Sequence, residues 1–91
     1  MLVKNMTSNN GNKVPNQFII EDDNATYFQS YNSMIVKIED NGSLPDKVYL
    51  DETYYNYSRT TSKYRNIFLN MTTKDIDAKI KSGAFILTNL N

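Results

Sequence analysis

Apolar and polar positions alternate with a period of two over much of the N-terminal half. In Gln17-Phe18-Ile19-Ile20-Glu21, Phe18 and Ile20 share one face. Residues 26–30 make a second short β-prone run. Residues 33–39 make a third, with Met34, Val36 and Ile38 pointing one way and Ile35, Lys37 and Glu39 the other. Such alternation predicts a sheet with one buried face and one wetter face. Asp22-Asp23-Asn24 tolerates the backbone angles of a tight turn, Tyr31-Asn32 reads as a bend, and residues 40–46, with Asn-Gly and Pro45, read as a loop. Residues 47–50 predict a fourth strand. Residues 84–88 are almost unbroken in apolarity and predict a terminal strand in the sheet interior.

The period changes after Asp51. Tyr54, Tyr57, Thr61, Tyr64 and Phe68 fall at helical spacing. Between Ser58 and Ser62, however, stand two β-branched threonines and few good helix formers. The prediction is a broken element: a short turn or helix after Asp51, then a firmer helix capped by Ser58 or Thr60 and ending near Leu69. A second helix is better marked. Thr72 is a natural N-cap, Asp75 completes a capping box, and Met71 and Ile76 sit at hydrophobic-staple positions. Ile76 and Ile80 share a face, Asp75 and Asp77 occupy the first turns, Lys79 and Lys81 the last, and Gly83 ends the helix.

Residues 1–15 show no hydrophobic period and contain Asn9-Asn10-Gly11-Asn12, so a flexible lead is expected there. Residues 16–91 then form one α+β domain: a small antiparallel sheet of about four to five strands, packed on one face by two helices, with the C-terminal strand returning to the sheet.

Composition removes whole classes of chemistry. Without cysteine or histidine there is no disulfide, no thiolate metal site, no usual zinc ligand and no Ser-His-Asp or Cys-His arrangement. Ser30, Ser33 and Ser58 have no imidazole to activate them. Gly11, Gly42 and Gly83 are isolated, so no phosphate cradle is encoded. The expectation is a protein that is not an enzyme and needs no cofactor. No apolar run approaches the roughly 20 residues of a membrane span, and the start carries no apolar stretch of signal-peptide length. A cytoplasmic setting is therefore expected.

Net charge is zero, yet unevenly spread: +2 over residues 1–20, −6 over 21–52 and +4 over 53–91. That predicts two oppositely charged surfaces with an aromatic-rich seam. Residues 54–70 hold four of the seven tyrosines and both arginines. Tyr55, Arg59, Lys63 and Arg65 are candidates for contacting a partner, because tyrosine and arginine dominate interface hot spots. Tyr54, Tyr57, Tyr64 and Phe68 fit either that surface or a buried helical stripe. Asp22, Asp23 and Asp40 lie in two loops expected at the same end of the sheet, where they would steer toward a basic partner. Their spacing matches no calcium loop. Two readings stay open: a protein partner, or single-stranded nucleic acid stacked on the tyrosines and held by the cations. A structural or oligomerising protein, such as a homodimer, is a third open reading.

The segments Gln17-Phe18-Ile19-Ile20, residues 27–33, 47–52 and 57–69, Lys79-Ile80-Lys81-Ser82-Gly83 and residues 87–91 together resemble a family of small uncharacterised proteins found mostly in phages and mobile elements. The resemblance spans residues 16–91, with Tyr55 standing where that family's pattern has tryptophan. It carries no activity to transfer. It implies a phage or mobile-element origin, and hence a small protein that binds and blocks a host factor, a nucleic-acid-processing CRISPR effector among them.

Overall fold

The segment expected to be a flexible lead instead opens the sheet. The computed structural model describes residues 1–91. In it β1 (Leu2–Thr7) pairs antiparallel with β2 (Lys13–Glu21). The polar residues between them are a hairpin turn: the Ser8 amide donates to the Asn12 carbonyl at 2.8 Å, and Gly11 adopts φ = 79°. Asn-Gly is a strong hairpin signal because both residues tolerate positive φ. Met6 and Val14 are buried, and the Asn5 side chain donates to the carbonyls of Met6 and Val14, both at 2.8 Å.

From β2 the chain meanders through β3 (Ala25–Ser30), β4 (Ser33–Glu39) and β5 (Lys47–Asp51), each antiparallel to its predecessor. Two helices follow, α1 (Arg59–Leu69) and α2 (Thr73–Ser82), and then β6 (Phe85–Thr88). β6 is parallel to β5, so the sheet is mixed, six-stranded and ordered β1-β2-β3-β4-β5-β6. Parallel neighbours need a long crossover, and the two helices supply it. The α+β architecture is as the pattern predicts. The strand count is higher, because the lead contributes pairing that its low hydrophobicity conceals.

β6 is an edge strand, not an interior one. Its apolar run does not report burial on both faces, since Ile86 is 42% exposed and only Phe85 is buried. The C-terminal residues are tied down by polar contacts. The Asp51 carboxylate accepts from the Leu90 amide at 2.8 Å, and the Asn91 side chain pairs with both backbone groups of Met34, at 2.7 and 2.9 Å.

Both helices pack on one face of the sheet. Phe28, Val36 and Leu50 from the central strands, Ile76 from α2 and Phe85 from β6 join Met6 and Ile35 in a single core. Burying each such side chain is worth roughly 1.5–3 kcal/mol. Phe28 also stacks on Phe68 of α1, with ring centroids 5.7 Å apart. Ile35 reaches this side through a β-bulge. Phe28 opposes Val36 and Gln29 opposes Met34, which leaves Ile35 unpaired. The extra residue bends β4, so adjacent Ile35 and Val36 are both buried, and strict alternation fails.

The opposite face carries no helix. One cross-strand row, Val3, Ile20, Tyr27, Lys37, Tyr49 and Ile86, runs over all six strands. Phe18 lies in the next row. No helix is long and apolar enough to cross a membrane.

Candidate functional site

Ser58 begins α1 as its N-cap, accepting from the Thr61 amide at 3.1 Å. A half-open cleft of about 500 Å³ lies there, between the β3–β4 turn and the segment that leads into α1. Tyr31, Asn32, Ser33, Tyr54 and Tyr57 line it together with Ser30, Ile35, Ser58 and Thr61. No lining side chain is charged. The size and the aromatic walls suit a ligand group.

Three hydroxyls form a chain in this cleft. The Ser58 hydroxyl donates to Thr61 Oγ1 at 3.2 Å, and Thr61 Oγ1 lies 2.9 Å from Ser30 Oγ. Whichever of Thr61 and Ser30 donates to the other, one O–H hydrogen of the three is left over. Each hydroxyl has a single donor. Ser30 and Thr61 are both buried, so the spare donor sits low in the cleft. Nearby, Tyr31 holds a left-handed backbone at φ = 56°. That conformation is costly for a bulky residue. It is held by the Tyr31 amide donating to Asn16 O at 2.7 Å and by Gln29 Nε2 donating to Tyr31 O at 2.8 Å.

The residues singled out in the tyrosine segment separate into two groups. Arg65 is not on the surface: it is 1% exposed on the inner side of α1. Its guanidinium donates to Tyr55 O at 2.7 Å, to Asn56 Oδ1 at 3.4 Å, to Asn66 Oδ1 at 2.9 and 3.1 Å, and to Thr73 Oγ1 at 3.3 Å. No carboxylate forms an ion pair with it. Burial pushes its pKa down from the usual arginine value, with Asp77 and Tyr55 opposing. Arginine keeps its charge in proteins regardless. Tyr55 is half-buried, its ring 6.0 Å from the guanidinium, and is likewise not a free contact. Together they fix the wall of the cleft, because Tyr55 and Asn56 lie between its lining residues Tyr54 and Tyr57. Asp51 anchors the same segment by accepting from the amides of Thr53 and Tyr54 at 3.1 and 2.8 Å. Burial pushes the Asp51 carboxyl up, but the Leu90 and Tyr54 amides, the Asn91 side chain and the Thr53 amide outweigh it. The net pKa is below the usual carboxylate value.

Arg59 and Lys63, by contrast, are exposed on the outer side of α1, four residues apart, with the Lys63 ammonium 5.2 Å from the Tyr64 ring centroid. Tyr57 is 67% exposed and stands edge-on to Tyr54 at 5.6 Å, so the helical spacing does not make it core. It precedes the N-cap, where helical periodicity does not apply.

Asp22, Asp23 and Asp40 are exposed, and their loops meet: the Asp40 amide donates to Asn24 O at 2.8 Å. This end of the sheet is opposite the β3–β4 turn, so the acidic loops and the tyrosine cleft cap the two ends of β3. The carboxylates do not converge as a metal-ligand set.

Sequence reading missed the cleft itself. Its signals were a tyrosine in a two-residue turn and a Ser-x-x-Thr pair at a helix start, neither distinctive alone. It also missed Gln17, which is fully buried beside Ser30 in the sheet register with neither Nε2 nor Oε1 hydrogen-bonded.

A model for a family of unknown function (DUF8033) matches residues 1–84. The chain belongs to that family. The match begins at the first residue and so includes β1 and the turn into β2, which lie outside the resemblance over residues 16–91. No curated protein and no solved structure matches the chain.

Proposed function

We propose that this chain is a non-catalytic protein-binding domain whose reading surface is the tyrosine cleft at the start of α1. One observation carries it: Tyr31, Tyr54 and Tyr57 line an uncharged half-open cleft, with Tyr57 largely exposed and a spare hydroxyl donor below. Exposed tyrosines around a pocket are the usual anchors of protein interfaces. The guest is an uncharged side chain carrying an acceptor oxygen. The cleft residues offer no general base at neutral pH, which favours binding over turnover. Arg59 and Lys63 lie one residue and one turn beyond the cleft and fit a carboxylate on the same partner. The acidic loops at the far end give the molecule a dipole that orients its approach.

The resemblance to phage and mobile-element proteins supplies the class of partner. It is a host factor in the cytoplasm that the protein binds and inhibits or modulates, and an anti-CRISPR or other anti-defence role is one form of this reading. The nucleic-acid alternative is weakened because two of its residues, Tyr55 and Arg65, face inward.

The test captures proteins from a candidate host on immobilised wild-type chain, then titrates the purified captive. Tyr57→Ala is expected to weaken binding about tenfold. Unchanged affinity in a folded Tyr57→Ala and Tyr54→Ala chain removes the cleft from the reading. Tight binding of a single-stranded oligonucleotide that weakens steeply with salt replaces the protein partner with nucleic acid.

A further inference from the structure

We infer that the helix-free face of the sheet is the interface of a homodimer, in which two copies pack face to face with their helices outward. The inference stands apart from the cleft, which lies on the other side of the sheet.

The central row of the face is apolar apart from Lys37 and is not covered, with Asn5 and Gln29 beside Phe18 in one flanking row and Glu39 and Lys47 in the other. Val3 is 57% exposed and Ile86 is 42% exposed, at opposite edges of the row, while Ile20, Tyr27 and Tyr49 between them are half-buried. Its one central cation comes with its own counter-ion: Lys37 Nζ lies 3.1 Å from Glu39 Oε2, and 5.9 and 5.8 Å from the rings of Tyr27 and Tyr49. The pair is neutral, Lys47 stands in register with Glu39 toward the strand end, and the chain as a whole has zero net charge, so the face carries a single net charge on a neutral molecule.

The order of side chains favours a second copy over an unrelated partner. Interfaces built on a two-fold axis place each patch against itself. An axis parallel to the strands lays β1 over the partner's β6, β2 over its β5 and β3 over its β4. Along the observed row this sets Val3 against Ile86, Ile20 against Tyr49 and Tyr27 against Lys37. Each meeting is apolar with apolar, apolar with aromatic, or ring with cation. The natural offset of about 30° between packed sheets keeps this register closest near the axis.

The area is adequate. The molecule measures 35 × 29 × 24 Å. Six strands about 4.8 Å apart span about 24 Å, and the face presents on the order of 600 Å² per copy, at the lower end of what stable pairs bury.

The test is the mass in solution. Sedimentation of the wild-type chain at high micromolar concentration is expected to give twice 10.5 kDa. Tyr27→Glu and, at the exposed edge, Val3→Glu are each expected to return it to 10.5 kDa with far-UV circular dichroism unchanged. Because the chain has no cysteine, Val3→Cys with Ile86→Cys allows a specific cross-link. A short bis-maleimide reaches a facing residue about 10 Å away on the other copy but not the about 24 Å between these residues in one sheet. A covalent dimer is expected. A wild-type chain that remains at 10.5 kDa, or a dimer that both glutamate variants leave intact, overturns the proposal.

Discussion

The two helices are built on opposite principles. α2 follows local rules: Thr72 and Asp75 form a reciprocal capping box, an acid stands in its first turn and lysines in its last, and Gly83 at φ = 82° ends it. Its only buried residue is Ile76. α1 has no acid in its first turn and no base in its last, and its buried residues are polar, Thr61 and Arg65. It has local caps at both ends, Ser58 and the left-handed Asn70, but its buried side chains are fixed by hydrogen bonds to residues outside it, Ser30 for Thr61 and Tyr55, Asn56 and Thr73 for Arg65. The helix that breaks the rules is the one that borders the cleft. Local and global preferences usually conflict where a protein has a function to serve.

The comparison breaks most sharply at Arg65. Arg65→Ala removes the donor to the carbonyl of Tyr55 and to Asn56 and Asn66. It is expected to cost about 3 kcal/mol in urea unfolding, since each orphaned buried acceptor carries its own penalty. Lysine cannot replace the planar fork, so Arg65→Lys is expected to recover less than half of that loss.

Next in size is Asp51, which ties the cleft wall to the chain end. Asp51→Asn is expected to lose about 2 kcal/mol at pH 7, the scale of charged hydrogen bonds. The folded carboxyl has a depressed pKa. Its contribution is therefore complete above the unfolded value of about 3.9 and fades as pH falls through the folded value. Wild-type and Asp51→Asn melting temperatures should accordingly converge in acid; a constant gap down to the lowest accessible pH would disprove this role.

Gln17 sharpens the contrast from the other side. Its buried amide has no partner, so Gln17→Leu is expected to stabilise the fold by about 1–2 kcal/mol in a chemical denaturation curve. On α2, Thr72→Ala should cost about 1 kcal/mol, the ordinary value of a cap, read as a shift of the thermal midpoint. The smallest effect belongs to Tyr57→Ala. At 67% exposure it should move stability by no more than about 0.5 kcal/mol while still weakening the proposed contact.

The same contrast explains what the sequence made legible. The limits and capping of α2 are local and were readable from Thr72, Asp75 and Gly83. The start of α1 was readable from Ser58 alone, but the inward turn of Arg65 was not, because a charged residue reads as surface until its acceptors are seen. They come from Asn56, Asn66 and Thr73, side chains that look like solvent-facing polars. The N-terminal hairpin was missed because Asn9-Asn10-Gly11 reads equally as disorder or as a turn, and only the burial of Met6 and Val14 decides. Ile35 was placed with Lys37 because a bulge shifts the alternation without leaving a mark in composition. Of the candidate contacts, Arg59, Lys63 and the three aspartates are exposed.

The parallel pairing of β6 with β5 has a consequence for how the chain acquires its structure. The first five strands form a meander of near-neighbour contacts that can assemble as soon as residue 51 has left the ribosome. Closing the core requires Ile76 and Phe85, which arrive only after the whole helical crossover. During that interval Phe28, Val36 and Leu50 lie open to other nascent chains. Such delayed long-range closure slows folding and favours misassembly. Translation speed through residues 52–84 thus becomes a determinant of yield, and pausing in that window should direct more of the product into aggregates.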